Sequence, residues 1–395
     1  MQMESSDKKL PDTDGPNSTT IDRVPESLCL LRLSALGDVT HMLPVIHRLQ
    51  RCWPDTRISW VIGKTEYKMV CDLPDIEFLV VDKKSGLGGI RSIIKILKGR
   101  RFDVFLHMQV SLRANIISAF VRASRKIGFD RARSREMHGM FINERIQASP
   151  GRGEHVVDAF QRFLDQAGVP YSELDWTIPV SPEDVTWARR AIGERRSLLI
   201  SPCSSHRLRN WSASRYAQLA DYAAKQHGLQ IVLCGGISSI EREMGDEIVT
   251  LMSEPVLDLI GKDTIKRLLA LIQQSTLIVS PDSGPAHMAS CFGTPVLGLY
   301  AASNPARSGP YLSRESVVDR YNLAARQFLN KSPDQLRWGE KVEKPGAMDL
   351  ISTEDACVML DESWARQNNK TAKSSAEPFM SHHLLVYGQC FLSHS

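Results

Sequence analysis

The sequence predicts an α/β protein made of two doubly wound domains, each a parallel sheet with helices on both faces. Three observations carry that class. Short continuous apolar runs, of the kind buried parallel strands make, alternate with stretches of helically spaced apolar residues. The alternation comes as two successive series on either side of a linker containing Pro179 and Pro182. The length of 395 residues, with 42% hydrophobic content, is enough to bury two full cores.

The first series opens with a strand at 28–33, an apolar run interrupted only by Arg32. Met42, Leu43, Ile46 and Leu49 then recur at helical spacing, so a helix is expected over 39–50. Strands follow at 57–62, 77–81 and 102–107, with a basic amphipathic helix at 89–99 and another helix at 112–121. A helix over 156–167 ends at Gly168, and Val169-Pro170 stops it. The second series reads as strands at 197–201, 230–234, 256–260, 276–280 and 296–300. Helices over 214–226, 240–252, 265–274 and 286–292 lie between them. The expected domains are 28–175 and 176–352, with one closing helix at 353–366. The polar, Ser-, Asp- and Pro-containing segment 1–27 lacks the apolar centre of a signal peptide and reads as a disordered tail. Segment 367–395, with His382-His383 and an apolar 384–387 in Ser-rich surroundings, reads as a second one.

Composition removes several classes. No apolar run approaches the length of a membrane span. The net charge of +4 gives no bulk argument for nucleic acid, and no aromatic residues interleave with the basic ones. Eight cysteines without paired spacing suggest reduced cytosolic thiols, and no Cys/His spacing resembles a zinc site. An oxidoreductase of this class needs Gly-x-Gly-x-x-Gly after its first strand. Here that turn is Ser34-Ala35-Leu36-Gly37-Asp38, with one glycine, and no Walker A lysine pattern exists.

The richest segment is 279–300. A strand ends in Pro281-Asp282-Ser283-Gly284, a short helix carrying His287 follows, and Gly293-Thr294-Pro295 leads into a second strand. A strand–turn–helix unit turns free backbone N–H groups toward whatever sits above the sheet, which suits a diphosphate. This segment resembles glycosyltransferase family 9, the bacterial heptosyltransferases of lipopolysaccharide core synthesis. Three more stretches resemble the same family in the same order. They are 30–44, with Gly37-Asp38-Val39-Thr40-His41; 201–211, with Trp211, followed by Tyr216; and 234–241, with Gly235-Gly236 and Glu241.

The resemblance implies a GT-B architecture, two Rossmann-like domains facing a cleft, and inverting sugar transfer with no cofactor and no metal. The implied donor is a nucleotide-sugar, ADP-heptose first. The implied acceptor is an acidic glycolipid, Kdo-lipid A or a heptosyl core, at the inner membrane face. That places the protein in the cytoplasm or peripherally on the inner membrane. Asp38 matches the family's general base; as a helix cap it would need no catalytic role. Asp282 matches the residue that holds donor-sugar hydroxyls, and Ser283 and Gly284 those that bind diphosphate. His287, Ser204 and Ser205 line the same donor site. Arg209 stands where the family often has a Lys that neutralises the leaving diphosphate, with Arg207 beside it as an alternative. Glu241 matches an acid near the nucleoside ribose, or it is a helix-surface residue. Arg113, Arg122, Arg131, Arg133 and Arg135 belong to a basic cluster suited to an acidic acceptor, or to an ordinary solvated face. Two departures concern the donor. Ala301-Ala302-Ser303-Asn304-Pro305 replaces the common Gly-Pro-Thr-Asp-Pro, so Asn304 stands for an acid. Segments 306–311 and 345–351 look like a subgroup close to heptosyltransferase I. Other readings of the same architecture are a sugar-nucleotide epimerase and a non-catalytic nucleotide-sugar-binding protein.

Overall fold

A computed structural model describes residues 23–149 and 153–376. The first series forms β1 (Ser27–Leu31), β2 (Arg57–Gly63), β3 (Ile76–Val81), β4 (Phe102–His107), β5 (Ala123–Gly128) and β6 (Glu144–Arg145). They pair in parallel in the order β3-β2-β1-β4-β5-β6. The second series forms β7 (Ser197–Ile200), β8 (Gln230–Leu233), β9 (Val256–Asp258), β10 (Leu277–Pro281), β11 (Val296–Tyr300) and β12 (Val317–Asp319). Its order is β12-β11-β10-β7-β8-β9, again parallel.

Each sheet therefore runs outward in one direction, returns to its centre and runs outward in the other. The direction reverses between β1 and β4 in the first sheet and between β7 and β10 in the second. Loops that leave the carboxyl ends of such neighbouring strands diverge to opposite faces and open a crevice, where ligands of open α/β sheets bind. Central strands are apolar along their length because helices cover both faces: Leu28, Cys29, Leu30 and Leu31 are all fully buried. One apolar cluster continues from the first domain, through Leu28, Ile46 and Phe163, to Leu199, Ile272 and Met288 of the second. No described helix is long and apolar enough to cross a membrane.

The structure departs from the sequence reading in a few places. The helix expected over 39–50 is two helices, Leu36–Thr40 and Leu43–Cys52, and Pro44 stands in the first turn of the second. The expected linker around Pro182 contains a helix, Pro182–Ile192, capped by the Ser181 hydroxyl. Proline at a first helical position loses no hydrogen bond and starts the helix. Strands β5, β6 and β12 were hidden by polar composition or brevity. The closing helix does not end at 366. It runs Thr353–Ala376, held by His227 to Asp361 at 2.7 Å, by Arg196 to Asn368 at 2.7 Å and by Arg366 to Ser316 at 2.9 Å. These partners are distant in sequence, so its polar last turns gave no local signal. Residues 1–22 and 377–395, with His382 and His383, lie outside the described residues.

Candidate functional site

Asp38 lies just beyond the carboxyl end of β1, at the first sheet's reversal point. It is not the N-cap of its helix. It is the third residue of Leu36–Thr40, and its carboxylate turns back to accept from the Ala35 N–H at 3.1 Å. Arg32, at the end of the same strand, forms an ion pair with it. Arg32 is itself held by the Met108 carbonyl, at 2.5 Å, beyond β4. Burial alone would raise the Asp38 carboxyl, but Arg32, Arg307 and the Ala35 N–H outweigh it and hold it below its ordinary value. Its side chain keeps 28% exposure, so the carboxylate is ionised yet reachable.

Asp282 lies beyond β10, at the second sheet's reversal point. It is 9% exposed and enclosed by Lys341 and His287. Lys341 donates to it at 2.8 Å and His287 Nε2 stands 3.6 Å away. Burial opposes its ionisation, and His287 and Lys341 overcome this, holding the group far below the usual carboxylate range. Ser283 turns its hydroxyl back to Ser280, 2.6 Å away. Gly284 faces the first domain: a Cβ there would lie 3.4 Å from Leu36 Cβ and 3.8 Å from the Gly37 nitrogen. The two loops thus meet across the cleft. A Cβ on Gly37 would collide with Cδ2 of His287. The His287 ring lies 4.5 Å from the His41 ring, and His155 packs on His41 from 5.5 Å. Burial, then His287 and His155, push His41 well below the usual imidazole range, so it is neutral and neither of its ring nitrogens has a partner among the described residues.

The loop after β7 supplies the third wall. Arg209 Nε donates to Glu343 at 2.7 Å. Ser204 closes a local turn, accepting from the His206 N–H at 3.3 Å, while Ser205 is exposed. Arg207 points elsewhere, to Glu243 at 2.7 Å. Glu241 behaves as a cap. It accepts from the Gly236 N–H at 2.7 Å and from the Ser238 hydroxyl at 2.6 Å, at the start of helix Ser239–Leu251. Its carboxylate is occupied by the turn it shapes. Trp211 is fully buried, with its indole N–H on the Ile351 carbonyl, which makes it core.

The basic cluster divides. Arg113, Arg131 and Arg135 stand on loops and a helix start beyond the carboxyl ends of β4 and β5, the edge that carries Asp38. Arg122 is a correction: it precedes β5, at the opposite edge of the sheet, so it cannot reach an acceptor at Asp38. Arg133 is a second correction. It is buried and paired with both Asp130 and Glu154, and such a neutralised cation holds the loop together rather than a ligand. Arg125, a further basic residue of the same stretch, is bound by Glu144 at 2.7 Å.

Arg32, Arg307, Lys341, Glu343 and His155 belong to the site and were not singled out from sequence. Arg32 and Arg307 lay inside quoted segments, where their charge was the available signal. Lys341 and Glu343 lie outside every motif, and only the fold of 331–346 over the second domain brings them in. Among the described residues no group of three or more His, Cys, Asp or Glu is placed to hold a metal ion.

Known proteins share this family and fold. Residues 90–335 match the model of glycosyltransferase family 9 (heptosyltransferase). The chain is 40% identical over 333 residues to the lipopolysaccharide core heptosyltransferase OpsX of Haemophilus influenzae, covering 84% of this chain and 94% of that protein. Its fold is similar to that of a family 9 glycosyltransferase from Veillonella parvula, with a TM-score of 0.69 at 21% identity over 86% of this chain and 97% of the other. It is similar also to E. coli ADP-heptose lps heptosyltransferase II, with a TM-score of 0.65 at 19% identity over 87% and 99%. Two parallel sheets meeting at their reversal points, with an acid from each at the junction, are thus the two Rossmann-like domains of a GT-B enzyme, and the chain belongs to glycosyltransferase family 9, the heptosyltransferases.

Proposed function

We propose that this glycosyltransferase moves heptose from ADP-heptose onto the lipopolysaccharide inner core by direct displacement, with Asp38 as general base. One observation carries the chemistry: an ionised, reachable carboxylate on one domain faces, across the cleft, the turn of the other domain that suits a nucleotide-sugar. The donor and acceptor classes are supported by the H. influenzae relative, described as acting on the lipopolysaccharide core, and by the E. coli neighbour, described as an ADP-heptose enzyme.

In this reading Asp38 takes the proton of an acceptor hydroxyl as that oxygen attacks the anomeric carbon. The bond from that carbon to the diphosphate breaks on the opposite face, so the configuration inverts and ADP leaves with the electron pair. Asp282, held anionic by Lys341, accepts hydrogen bonds from donor-sugar hydroxyls. Arg209 meets the leaving diphosphate when Glu343 releases it, and Ser204, Ser205, Ser283, Gly284 and His287 shape the pocket around it. Arg113, Arg131 and Arg135 face the acceptor. Leu87, Leu112, Met137 and Met140 are exposed on the same domain, which suits peripheral contact with an acidic membrane.

The test is incubation of purified protein with ADP-heptose and Kdo-lipid A or a heptosylated core. Acceptor-dependent ADP release and a product of inverted anomeric configuration by NMR are expected, and EDTA should leave the rate unchanged. Retained configuration, or ADP release indifferent to acceptor, would refute it.

A further inference from the structure

Arg307 differs from the three cations that lie against the acids and the third wall of the cleft. Arg32 is paired with Asp38, Arg209 with Glu343 and Lys341 with Asp282. The Arg307 guanidinium makes no ion pair or hydrogen bond among the described residues, and its Nε is buried without a partner. A covered guanidinium with no hydrogen-bonded partner is costly, and this one leaves its donors open to an incoming anion.

The group is also held in place. Asn304 caps the turn that carries it, accepting from the Ala306 N–H at 2.9 Å. A carboxylate at 304 would cap that turn equally well, but would set an anion one turn from Arg307; the amide leaves the guanidinium charge available. Trp338 covers one face, with its ring centre 4.2 Å from the Arg307 Cζ. Gly339 has a φ of 78°, and a Cβ there would lie 3.0 Å from Nε, so glycine makes room along that edge. The segment belongs to the second domain's chain but is fastened to the first. His155 Nε2 donates to the Gly309 carbonyl at 3.0 Å, and the Tyr311 hydroxyl donates to Asp158 at 2.7 Å. Asp38 and Asp282 both act on the Arg307 charge, Asp38 more strongly, and Arg32 and Arg135 act on it from the first domain.

The geometry points to Arg307 as the residue that binds an anionic oxygen group of the acceptor, a carboxylate or a phosphate, beside the hydroxyl that Asp38 deprotonates. The donor diphosphate already has Arg209 and the turn at Ser283, whereas Arg307 joins the guanidinia gathered around Asp38. A planar guanidinium with a free edge receives such a group bidentately. This role rests on the proposed transfer reaction and adds to it a residue and a required acceptor feature.

The experiment compares wild type with Arg307→Gln and Arg307→Lys in the full chain, after circular dichroism and thermal unfolding confirm the fold. In Arg307→Gln the acceptor KM should rise about 10- to 100-fold, as expected when a charged hydrogen bond is lost. Arg307→Lys should recover part of that loss, and the donor KM should stay within about twofold of wild type. Acceptors with the phosphate removed or the carboxylate esterified separate the two sources. Wild type should lose affinity for the analogue lacking the group Arg307 holds, and Arg307→Gln should lose none further for it. An unchanged acceptor KM in folded Arg307→Gln, or a rise in donor KM instead, would overturn the assignment. Wild type that transfers to no acceptor would count against the proposed reaction. Calorimetric acceptor binding to wild type and Arg307→Gln, which needs no turnover, would then decide Arg307 by itself, with equal affinities refuting it.

Discussion

The loops that carry Asp38 and Asp282 are built alike and end in different states. Each leaves the carboxyl end of a strand at a reversal point, turns through a short helix and carries an acid followed by a histidine, Asp38 with His41 and Asp282 with His287. Asp38 shares one guanidinium and keeps 28% of its side chain exposed. Asp282 is 9% exposed and enclosed by Lys341 and His287. Both carboxyls are held below their ordinary values, the second much further. A partly exposed carboxylate with a single ion-pair partner can accept a proton from a substrate. A clamped one is too strongly stabilised as an anion to do so, and suits the proposed role of a fixed hydrogen-bond acceptor. The difference lies in burial and in the surrounding side chains, not in the loop design.

The sharpest way to break this comparison is Asp38→Asn. Transfer should fall by about 10² to 10⁴ while a thermal-shift titration with ADP-heptose gives an unchanged dissociation constant. A normal rate would make Asp38 a helix residue only.

The buried histidines His41 and His155, packed together at the junction of the domains, give a pH prediction. His155 is pushed down to about 4, chiefly by burial, and His41 lies well below the usual range for the same reason. A depressed imidazole contributes stability that is complete above its unfolded value, near 6.5. That contribution declines as pH falls from about 6.5 toward the folded value, because only the unfolded chain takes up the proton. Over this window His155 alone accounts for roughly 3 kcal/mol. Thermal midpoints measured from pH 7 to 4 should drop, and His155→Gln should flatten the profile. A flat wild-type profile would mean these rings are not held neutral.

Asp282→Asn tests the clamped acid. Losing charged hydrogen bonds worth about 1.5–3 kcal/mol should raise the donor KM about 10- to 100-fold, with a smaller effect on the acceptor. If kcat fell as far as in Asp38→Asn with donor KM unchanged, the two roles would need exchanging.

The contact between the loops is open to a smaller test. Gly37→Ala drives a methyl into His287 and should cost about 1–3 kcal/mol, read by denaturant unfolding, with activity reduced. Adding His287→Ala should restore most of that stability, since the colliding ring is gone.

The sequence by itself determined much of this protein. The two series of apolar runs fixed the class, because buried parallel strands leave a local signature that needs no partner to read. Strand β4 was placed at 102–107 and β11 at 296–300, as observed. Gly37, Asp38, Asp282 and His287 were visible because each stands at a fixed offset from a strand end. Tertiary structure decided what local pattern cannot hold. Arg122 and Arg133 were indistinguishable from Arg131 by sequence. Only the sheet's polarity sends Arg122 to the far edge, and Arg133 is neutralised by Glu154, 21 residues away, together with the nearby Asp130. Lys341 and Glu343 reach Asp282 and Arg209 across 59 and 134 residues, so the charge state of the donor side is a property of the folded chain. Strand and turn formation depend on neighbours in sequence, whereas the pairing of ions depends on neighbours in space.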